Sequence, residues 1–221
     1  MAKPSVSVEN FVKTIFQSKH KTVSGVKFGS ISEKLGISQA ATTDMAKKLA
    51  VKDLVRYERY QGIHLTEQGE RLALSVIRKH RLWETLLHDV LGLSLHEIHR
   101  EAENLEHQTS DFLAERICDY LGNPKFDPHG DPIPDVKGNI DLVKDHIMLS
   151  DALPNTKYLI VRLSNSEEEF FDFCVNNSIL PGTEILVVGQ FPKTKMTEVY
   201  IKKTRLLLNA KFTKTIFVKA I

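Results

Sequence analysis

The sequence has few cysteines and no long apolar run. Only two of its 221 residues are cysteine, Cys118 and Cys174, and they lie far apart in the chain. A disulfide framework is therefore not expected, and a reducing compartment fits the composition. No stretch of about 18 consecutive apolar residues occurs, which excludes a transmembrane helix. The first nine residues contain no apolar signal-peptide core, so we expect a cytoplasmic protein that does not act in a membrane.

The residues that are present have an ordinary globular composition, with 42% hydrophobic and 26% charged residues, but the charges are unevenly distributed. Residues 1–75 hold 12 Lys+Arg against 7 Asp+Glu, residues 76–148 hold 8 against 14, and residues 149–221 hold 10 against 7. Seven of the nine histidines lie in the acidic middle segment. A basic first segment indicates a polyanionic partner, and an acidic, histidine-rich one indicates a cation site. We predict three domains with these bounds.

The first segment has the pattern of a DNA-binding domain. Apolar spacing predicts helices over about 7–19, 30–35 and 39–51, followed by two short strands around Gly62. This is the order of a winged helix-turn-helix, whose second paired helix presents its N-terminal side chains to base edges. The predicted DNA contacts are Ser38, Gln39, Thr42, Thr43 and Asp44 at base edges, and Lys47, Lys48 and Arg59 at phosphates. The alternative is a three-helix domain whose polar face contacts protein.

The second segment combines histidines and carboxylates at helical spacing. A helix is predicted from about Glu67 to Val90, and another from Leu95, capped by Ser94, to about Leu121. Two faces carry the candidate ligands: His80 and Glu84 on the first helix, and His99, Glu103, Glu106 and His107 on the second. Imidazole and carboxylate without thiolate suit Mn²⁺, Fe²⁺ or Zn²⁺. The alternative is a solvated face with ion pairs four residues apart.

The remaining chain is a connector followed by a small β domain. Residues 123–156 hold five of the eight prolines and predict little regular structure. Within them, Asp127-Pro128-His129-Gly130 fits a ligand source and a polar turn equally well. From residue 157 the pattern predicts several strands and one helix over about 166–177, which is typical of a small barrel. The fold class is therefore mainly α with small β parts.

Three motifs together resemble the diphtheria toxin repressor family of metal-activated transcriptional repressors. They are Arg78-Lys79-His80-Arg81-Leu82-x-Glu84, His99-x-Glu101-Ala102-Glu103-x-x-Glu106-His107, and Asp127-Pro128-His129-Gly130-x-Pro132-Ile133-Pro134. The resemblance covers essentially the whole chain. It implies a winged helix-turn-helix domain, a helical metal-binding and dimerisation domain, and a C-terminal SH3-like (FeoA-like) domain.

The resemblance also implies two metal sites. One would use Glu103, Glu106 and His107 with a residue of the first helix, where the matching position is Asn10 and Glu9 is its neighbour. The other would use His80, Glu84 and His99, with Glu167 from the C-terminal domain and, as in some manganese-responsive members, Asp127 and His129 from the connector. The iron-responsive branch has cysteine at the position of Glu103, whereas the manganese branch has glutamate.

The sequence therefore predicts a homodimeric, Mn²⁺-activated repressor that binds pseudo-palindromic double-stranded operator DNA and is not an enzyme. An Fe²⁺-dependent repressor of the same family is the first alternative. A metal-independent winged-helix protein whose C-terminal domain binds a partner is the second. An enzyme with a metal centre is the third, although the sequence offers no obvious nucleophile and no phosphate-binding loop.

Overall fold

The computed structural model describes residues 4–19, 25–58, 62–140, 145–165 and 167–221. The chain divides by its internal contacts into two compact units. Unit 1 comprises Met1–His80, Leu105–Ser110 and Pro134–Asn139, and unit 2 comprises Arg81–Asn104, Asp111–Ile133 and Ile140–Ile221. Each unit is therefore assembled from segments that are distant in sequence.

Unit 1 contains the winged helix-turn-helix that the sequence predicts. Its elements are α1 (Val6–Lys19), α2 (Phe28–Leu35), α3 (Gln39–Val51), the antiparallel hairpin β1 (Val55–Glu58) and β2 (Gly62–Leu65), and the first part of α4 (Glu67–Asp89). Helix α1 buries Phe11, Val12 and Ile15 completely or nearly so. Helix α2 begins two residues before the predicted start, and α3 has the predicted bounds because Ser38 caps it by accepting the Ala41 N–H.

Helix α4 approaches Leu54, the residue before β1, so closely that only glycine fits at position 69. A Cβ atom on Gly69 would lie 1.9 Å from the Leu54 carbonyl oxygen, and that atom belongs to the backbone and cannot rotate away. The Thr66 hydroxyl fixes the same junction, since it donates to the Asp53 carbonyl and accepts the Gly69 N–H. The start of α4 is thereby held against the wing.

We expect Gly69→Ala to destabilise the protein by about 1–3 kcal/mol, because the added methyl group forces a backbone shift. Gly29→Ala in α2 is the matched control, because its Cβ would meet only the Gln39 amide nitrogen at 3.7 Å. That control should be neutral or stabilising by up to about 1 kcal/mol, since alanine is the better helix former. Urea unfolding followed by circular dichroism measures both. Equal midpoints for the two variants would contradict the packing described.

The predicted single helix from Leu95 to about Leu121 is wrong, because the chain forms two helices there. They are α5 (Leu95–Leu105) and α6 (Asp111–Tyr120). At the break the Gln108 N–H and the Thr109 hydroxyl both donate to the Leu105 carbonyl, which ends the helix by tightening its last turn. The predicted Ser94 cap of α5 is confirmed, since Ser94 and Glu97 exchange hydrogen bonds in a capping box.

The connector contains the same loop twice. In the first copy the Asp127 carboxylate accepts the backbone N–H groups of His129 and Asp131 at 2.9 Å each. In the second, Asp135 accepts those of Lys137 and Asn139 at 2.8 and 2.7 Å. Each loop contains a glycine in the left-handed region, with φ of 85° at Gly130 and 84° at Gly138. The first loop is buried and carries the histidine, whereas Asp135 of the second is exposed.

Unit 2 combines the remaining helices with the predicted C-terminal β domain. Leu82 of α4 packs with Ala114, Ile117 and Cys118 of α6. The six-stranded antiparallel sheet has the order β3-β8-β4-β5-β6-β7. Its elements are β3 (Ile147–Met148), a 3-10 helix (Leu149–Asp151), β4 (Thr156–Leu163), α7 (Glu168–Asn176), β5 (Glu184–Phe191), β6 (Met196–Ile201), β7 (Thr204–Asn209), α8 (Ala210–Thr213) and β8 (Ile216–Ala220). Register shifts in β4 and β5 bend the sheet, as β-bulges do.

Among the described residues, no helix is both long enough and apolar enough to cross a membrane.

Candidate metal centres and nucleic-acid interface

The first candidate centre lies in unit 1 and is called the Glu106 cluster. It consists of Glu9 and Lys13 from α1, His80 from α4, and Glu106 and His107 from the segment after α5. All five residues are buried, with exposures between 1% and 6%. Glu106 and His107 lie in the break between α5 and α6 and belong to neither helix.

Glu106 is the centre of this cluster. Its carboxylate accepts hydrogen bonds from the Lys13 ammonium at 2.9 Å (Oε1) and 2.7 Å (Oε2). The His80 Nδ1 lies 2.6 Å from Glu106 Oε2, and the His107 Nε2 lies 3.2 Å from Oε1. Because a carboxylate only accepts, the short contact places a proton on the His80 Nδ1.

Glu9 orients the second imidazole of this cluster. Its Oε2 lies 2.6 Å from the His107 Nδ1. This contact holds the proton on Nδ1 and leaves the Nε2 lone pair directed towards Glu106 in the neutral ring. A carboxylate in this position is the usual outer partner of a metal-binding histidine. Of the two candidates in the first helix, the structure thus brings Glu9 into the cluster.

The second candidate centre lies in unit 2 and is called the Glu84 cluster. It consists of Glu84 from α4, His99 from α5, and Asp127 and His129 from the connector. Ligand atoms of Glu84, Asp127 and His129 all lie within 4.8 Å of one another, and all three residues are buried. The Glu84 Oε1 lies 3.1 Å from the His99 Nδ1 and 3.6 Å from the His129 Nδ1. The His129 Nε2 donates to the Leu95 carbonyl at 3.1 Å, so its Nδ1 faces the carboxylates.

The electrostatics of the Glu84 cluster favour a bound cation. The pKa of Asp127 is raised to about 8, first by burial and then by the nearby carboxylates of Glu84 and Asp131, against the opposing charges of Arg81 and His129. Burial lowers the pKa of His129, but its contact with Glu84 and the charges of Glu84 and Asp127 outweigh this and raise it overall. Arg81 and His129 therefore neutralise the two buried carboxylates only in part, and a divalent ion would supply further positive charge.

The ligand loop is held to the C-terminal sheet within unit 2. The His129 carbonyl accepts the Leu163 N–H of β4 at 2.8 Å. Gly130 packs against the same strand, where a Cβ atom would lie 2.0 Å from the Val161 carbonyl oxygen. The Arg81 side chain donates to the Pro132 carbonyl and pairs with Asp131 at 3.3 Å. The small β domain thus supports the loop that supplies two candidate ligands.

The structure places four of the other predicted metal ligands as follows. Glu167 stands at the N-cap position of α7 without a capping hydrogen bond from its side chain, is about half exposed, and pairs with Lys211 at 2.5 Å. His80, which was predicted with Glu84 and His99, contacts the Glu106 carboxylate through its Nδ1. Asn10 is half-buried on α1, where the neighbouring Glu9 makes the contact with His107. Glu103 is half-buried on α5 in unit 2.

The predicted recognition helix α3 presents a polar surface. Ser38, Gln39, Asp44 and Lys47 are exposed, Thr43 is half-buried, and Lys48 pairs with Asp44 at 2.7 Å. Thr42 corrects the sequence prediction: its side chain is fully buried and its hydroxyl donates to the Ser38 carbonyl, so it is not available to a base. Arg59, the predicted phosphate contact on the wing, lies outside the described residues.

Sequence reasoning missed Lys13 and Arg81 as parts of the two centres. Lys13 lies four residues after Glu9, on a stretch of α1 whose neighbours are buried apolar residues. A lysine on an apolar helix face is a signal in itself, because lysine is almost never buried unless it is paired. Arg81 belongs to the first of the three sequence motifs, but its contacts with Asp131 and Pro132 of the connector depend on the tertiary fold.

Three family profiles match this chain in succession. The profile described as "Iron dependent repressor, N-terminal DNA binding domain" matches residues 5–63. The profile "Iron dependent repressor, metal binding and dimerisation domain" matches residues 66–135. The chain belongs to the diphtheria toxin repressor family. A "FeoA domain" profile matches residues 147–220 of this repressor.

Curated relatives and solved structures agree with this placement. The repressor is 28% identical to the diphtheria toxin repressor of Corynebacterium efficiens over 200 residues, 86% of each chain. It is 35% identical to the iron-dependent repressor IdeR of Mycobacterium tuberculosis over 128 residues, 58% of this chain and 55% of the relative. A manganese-dependent transcriptional repressor in complex with manganese superposes with a TM-score of 0.90 at 29% identity, covering 97% of this chain and all of that one. The manganese regulator SloR gives 0.78 at 28% identity over both full chains.

These matches establish the general activity. The chain is a metal-dependent transcriptional repressor with a DNA-binding domain, a metal-binding and dimerisation domain, and a FeoA domain. The family consists of DNA-binding repressors and not of enzymes.

Proposed function

We propose that the repressor is activated by Mn²⁺ and binds pseudo-palindromic double-stranded operator DNA as a homodimer in the cytoplasm. The observation that carries the choice of ion is the donor set of the Glu84 cluster, which offers carboxylate oxygens and imidazole nitrogens without a thiolate. Hard oxygen-rich sets suit Mn²⁺, whereas thiolates select softer ions. The solved manganese-dependent repressor noted above supports the same ion.

The residues that would hold this ion are Glu84, Asp127 and His129, with His99 beside Glu84. Asp127 is already turned into position by the two backbone N–H groups of its own loop. The Leu95 carbonyl fixes the ring of His129 through Nε2, so Nδ1 is the nitrogen directed at the cluster. A bound divalent ion would supply the positive charge that the two buried carboxylates lack.

The Glu106 cluster is the second proposed site. Glu106 and His107 would hold an ion through Oε1 and Nε2, and Glu103, which precedes Glu106 by three residues, stays the predicted third ligand. Glu9 positions His107 through Nδ1 rather than binding the ion itself. Because Glu9 belongs to α1 and His107 to the segment after α5, an ion here would order α1 within unit 1.

Helix α1 connects this site to the DNA-reading helices. The Lys34 ammonium of α2 donates to the Ser18 hydroxyl of α1 at 3.0 Å, and α2 packs in turn on α3. Ordering α1 therefore constrains the helix that presents Gln39 and Lys47. Activation requires the ion to bind the DNA-competent state more tightly than the other state.

Exposed apolar side chains on α6 support a homodimer. Phe112 is 75% exposed and Tyr120 is 71% exposed. Both lie within the segment that matches the metal-binding and dimerisation profile. Large exposed aromatic side chains commonly mark an interaction surface, and the proposed occupant is α6 of a second copy.

Fluorescence anisotropy on operator-like DNA tests the proposed function. Titrations with chelator, with Mn²⁺ and with anaerobic Fe²⁺ at one fixed salt concentration are compared, because affinity for DNA depends on salt. We expect Mn²⁺ to tighten DNA binding by about 5- to 150-fold over chelator, the usual range for coupled sites. A larger effect of Fe²⁺ would favour the iron-dependent alternative, which the similarity to IdeR suggests. Equal binding with chelator would contradict metal activation.

A further inference from the structure

The Lys13 ammonium lies where a cation chelated by Glu106 would lie. Its Nζ is 2.9 Å from Oε1 and 2.7 Å from Oε2, so it faces both oxygens of one carboxylate. It is also 3.4 Å from the His80 Nδ1. The side chains of Lys13 and Glu106 are 6% and 0% exposed, so this pair is shielded from water. One face of Glu106 is thus occupied by a positive charge that belongs to the chain.

Resting on the proposed function, we propose that Lys13 is a resident cation of the Glu106 cluster. It holds Glu106 and stays in place when a divalent ion binds on the His107 side. The cluster therefore accepts a single divalent ion, held through Glu106 Oε1 and His107 Nε2. His80 contributes to the cluster by hydrogen bonding through Nδ1 and not as a ligand on the Lys13 face.

The charges of the cluster support retention of the ammonium. Within unit 1 the cluster contains two carboxylates, Glu9 and Glu106, and one ammonium, Lys13. If an incoming ion displaced Lys13, a buried ammonium would lose its charged partner, which is costly in a site shielded from water. If Lys13 stays, Glu106 lies between two cations, and each cation keeps a carboxylate contact.

The two imidazoles of the cluster contact different oxygens of Glu106. His80 contacts Oε2 and His107 approaches Oε1 at 3.2 Å. Lys13 contacts both oxygens, and its Nζ lies 3.4 Å from the His80 Nδ1. Of the two imidazoles at Glu106, His107 directs a nitrogen with a lone pair towards the carboxylate, whereas His80 Nδ1 holds its proton towards it. The His107 side is therefore the one suited to a metal ion.

Chemical labelling of the unaltered protein tests the proposal directly. Lysines are acetylated in brief pulses with chelator and again with saturating MnCl₂, and each site is quantified by mass spectrometry. We expect Lys13 to remain protected in both states, while the exposed Lys47 is labelled in both. Labelling of Lys13 that appears when Mn²⁺ is added would mean that the ion displaces the ammonium, and would overturn the proposal.

Counting bound ions provides an independent readout. Lys13→Glu replaces the resident cation with a further ligand, and Lys13→Met removes the charge without adding one. After equilibrium dialysis against MnCl₂, we expect Lys13→Glu to hold one more ion per chain than the wild type, and Lys13→Met to hold the same number as the wild type. The Glu84 cluster contributes equally to all three chains, so the difference reports the Glu106 cluster.

Electron paramagnetic resonance identifies where the added ion lies. Two Mn²⁺ ions that share Glu106 interact magnetically, so the Lys13→Glu spectrum should broaden relative to that of the wild type. A Lys13→Glu protein that binds no more ions than the wild type contradicts the proposal. Failure of the wild type to bind any Mn²⁺ would instead contradict the proposed function, and so the two failures are distinguishable.

Discussion

Asp127→Asn is expected to remove the response of the Glu84 cluster to Mn²⁺ while leaving the metal-free protein folded. The substitution removes a negative charge from a buried set whose other anion is Glu84, so affinity for a divalent ion at this site should fall at least about 100-fold. At an ion concentration of 100 times the wild-type Kd, this site stabilises the wild type by about 2.7 kcal/mol and would stabilise the variant by only about 0.4 kcal/mol. Thermal unfolding with and without Mn²⁺ measures the difference.

The loop itself should survive the substitution. Asp127 uses Oδ1 to accept the N–H groups of His129 and Asp131, and an asparagine carbonyl oxygen accepts the same two bonds. Asp135→Asn is the matched control because Asp135 makes the same two bonds in the exposed second copy of the loop. We expect that control to respond to Mn²⁺ like the wild type. An unchanged Mn²⁺ response in Asp127→Asn would show that the Glu84 cluster is not the activating site.

The raised pKa of Asp127 predicts how the stability of the metal-free protein depends on pH. Its pKa is raised to about 8 in the folded chain, from about 3.9 when unfolded. The folded state therefore retains a proton that the unfolded state has released, and this contribution to stability is lost as pH rises from about 4 to 8. Asp127→Asn should flatten that decline. Urea midpoints measured in chelator across this range check it, and parallel curves for the two proteins would contradict it.

Much of the molecule follows from local sequence pattern. The bounds of α3 and the cap of α5 were predictable because Ser38 and Ser94 act on residues three positions away. The candidate ligands of the Glu84 cluster were predictable as types, since helical spacing and the Asp127-Pro128-His129-Gly130 loop mark them. These are short-range features, and the sequence displays them directly.

The remaining features depend on contacts between distant segments. Lys13 pairs with Glu106 across 93 positions, so no local pattern reveals that an ammonium occupies the cluster. Thr42 has the residue type of a base contact, yet its hydroxyl bonds to Ser38 and its side chain is buried. Glu167 pairs with Lys211, a choice among exposed partners that composition does not determine.

Breaking the Lys13–Glu106 pair from one side should have the largest effect on stability. In metal-free protein, Glu106→Gln leaves the Lys13 ammonium buried without its carboxylate, which costs about 3–5 kcal/mol for pairs of this kind. Glu67→Gln is the matched control, since Glu67 pairs with Arg71 at 2.5 Å on an exposed surface. Exposed pairs contribute about 0–1 kcal/mol, so the control should unfold nearly as the wild type does. Urea unfolding in chelator compares them.

The double variant Lys13→Met with Glu106→Gln separates the charge effect from lost packing. Because both charges are then absent, we expect it to be more stable than Glu106→Gln alone, and the double-mutant cycle should give a coupling of at least about 1 kcal/mol. Mn²⁺ binding at the Glu106 cluster should be lost in Glu106→Gln and in the double variant, because both lack the carboxylate that the ion and the ammonium share. Additive effects of the two substitutions would show that Lys13 and Glu106 do not act as a pair, and that the ammonium is held in the cluster by packing of α1 alone.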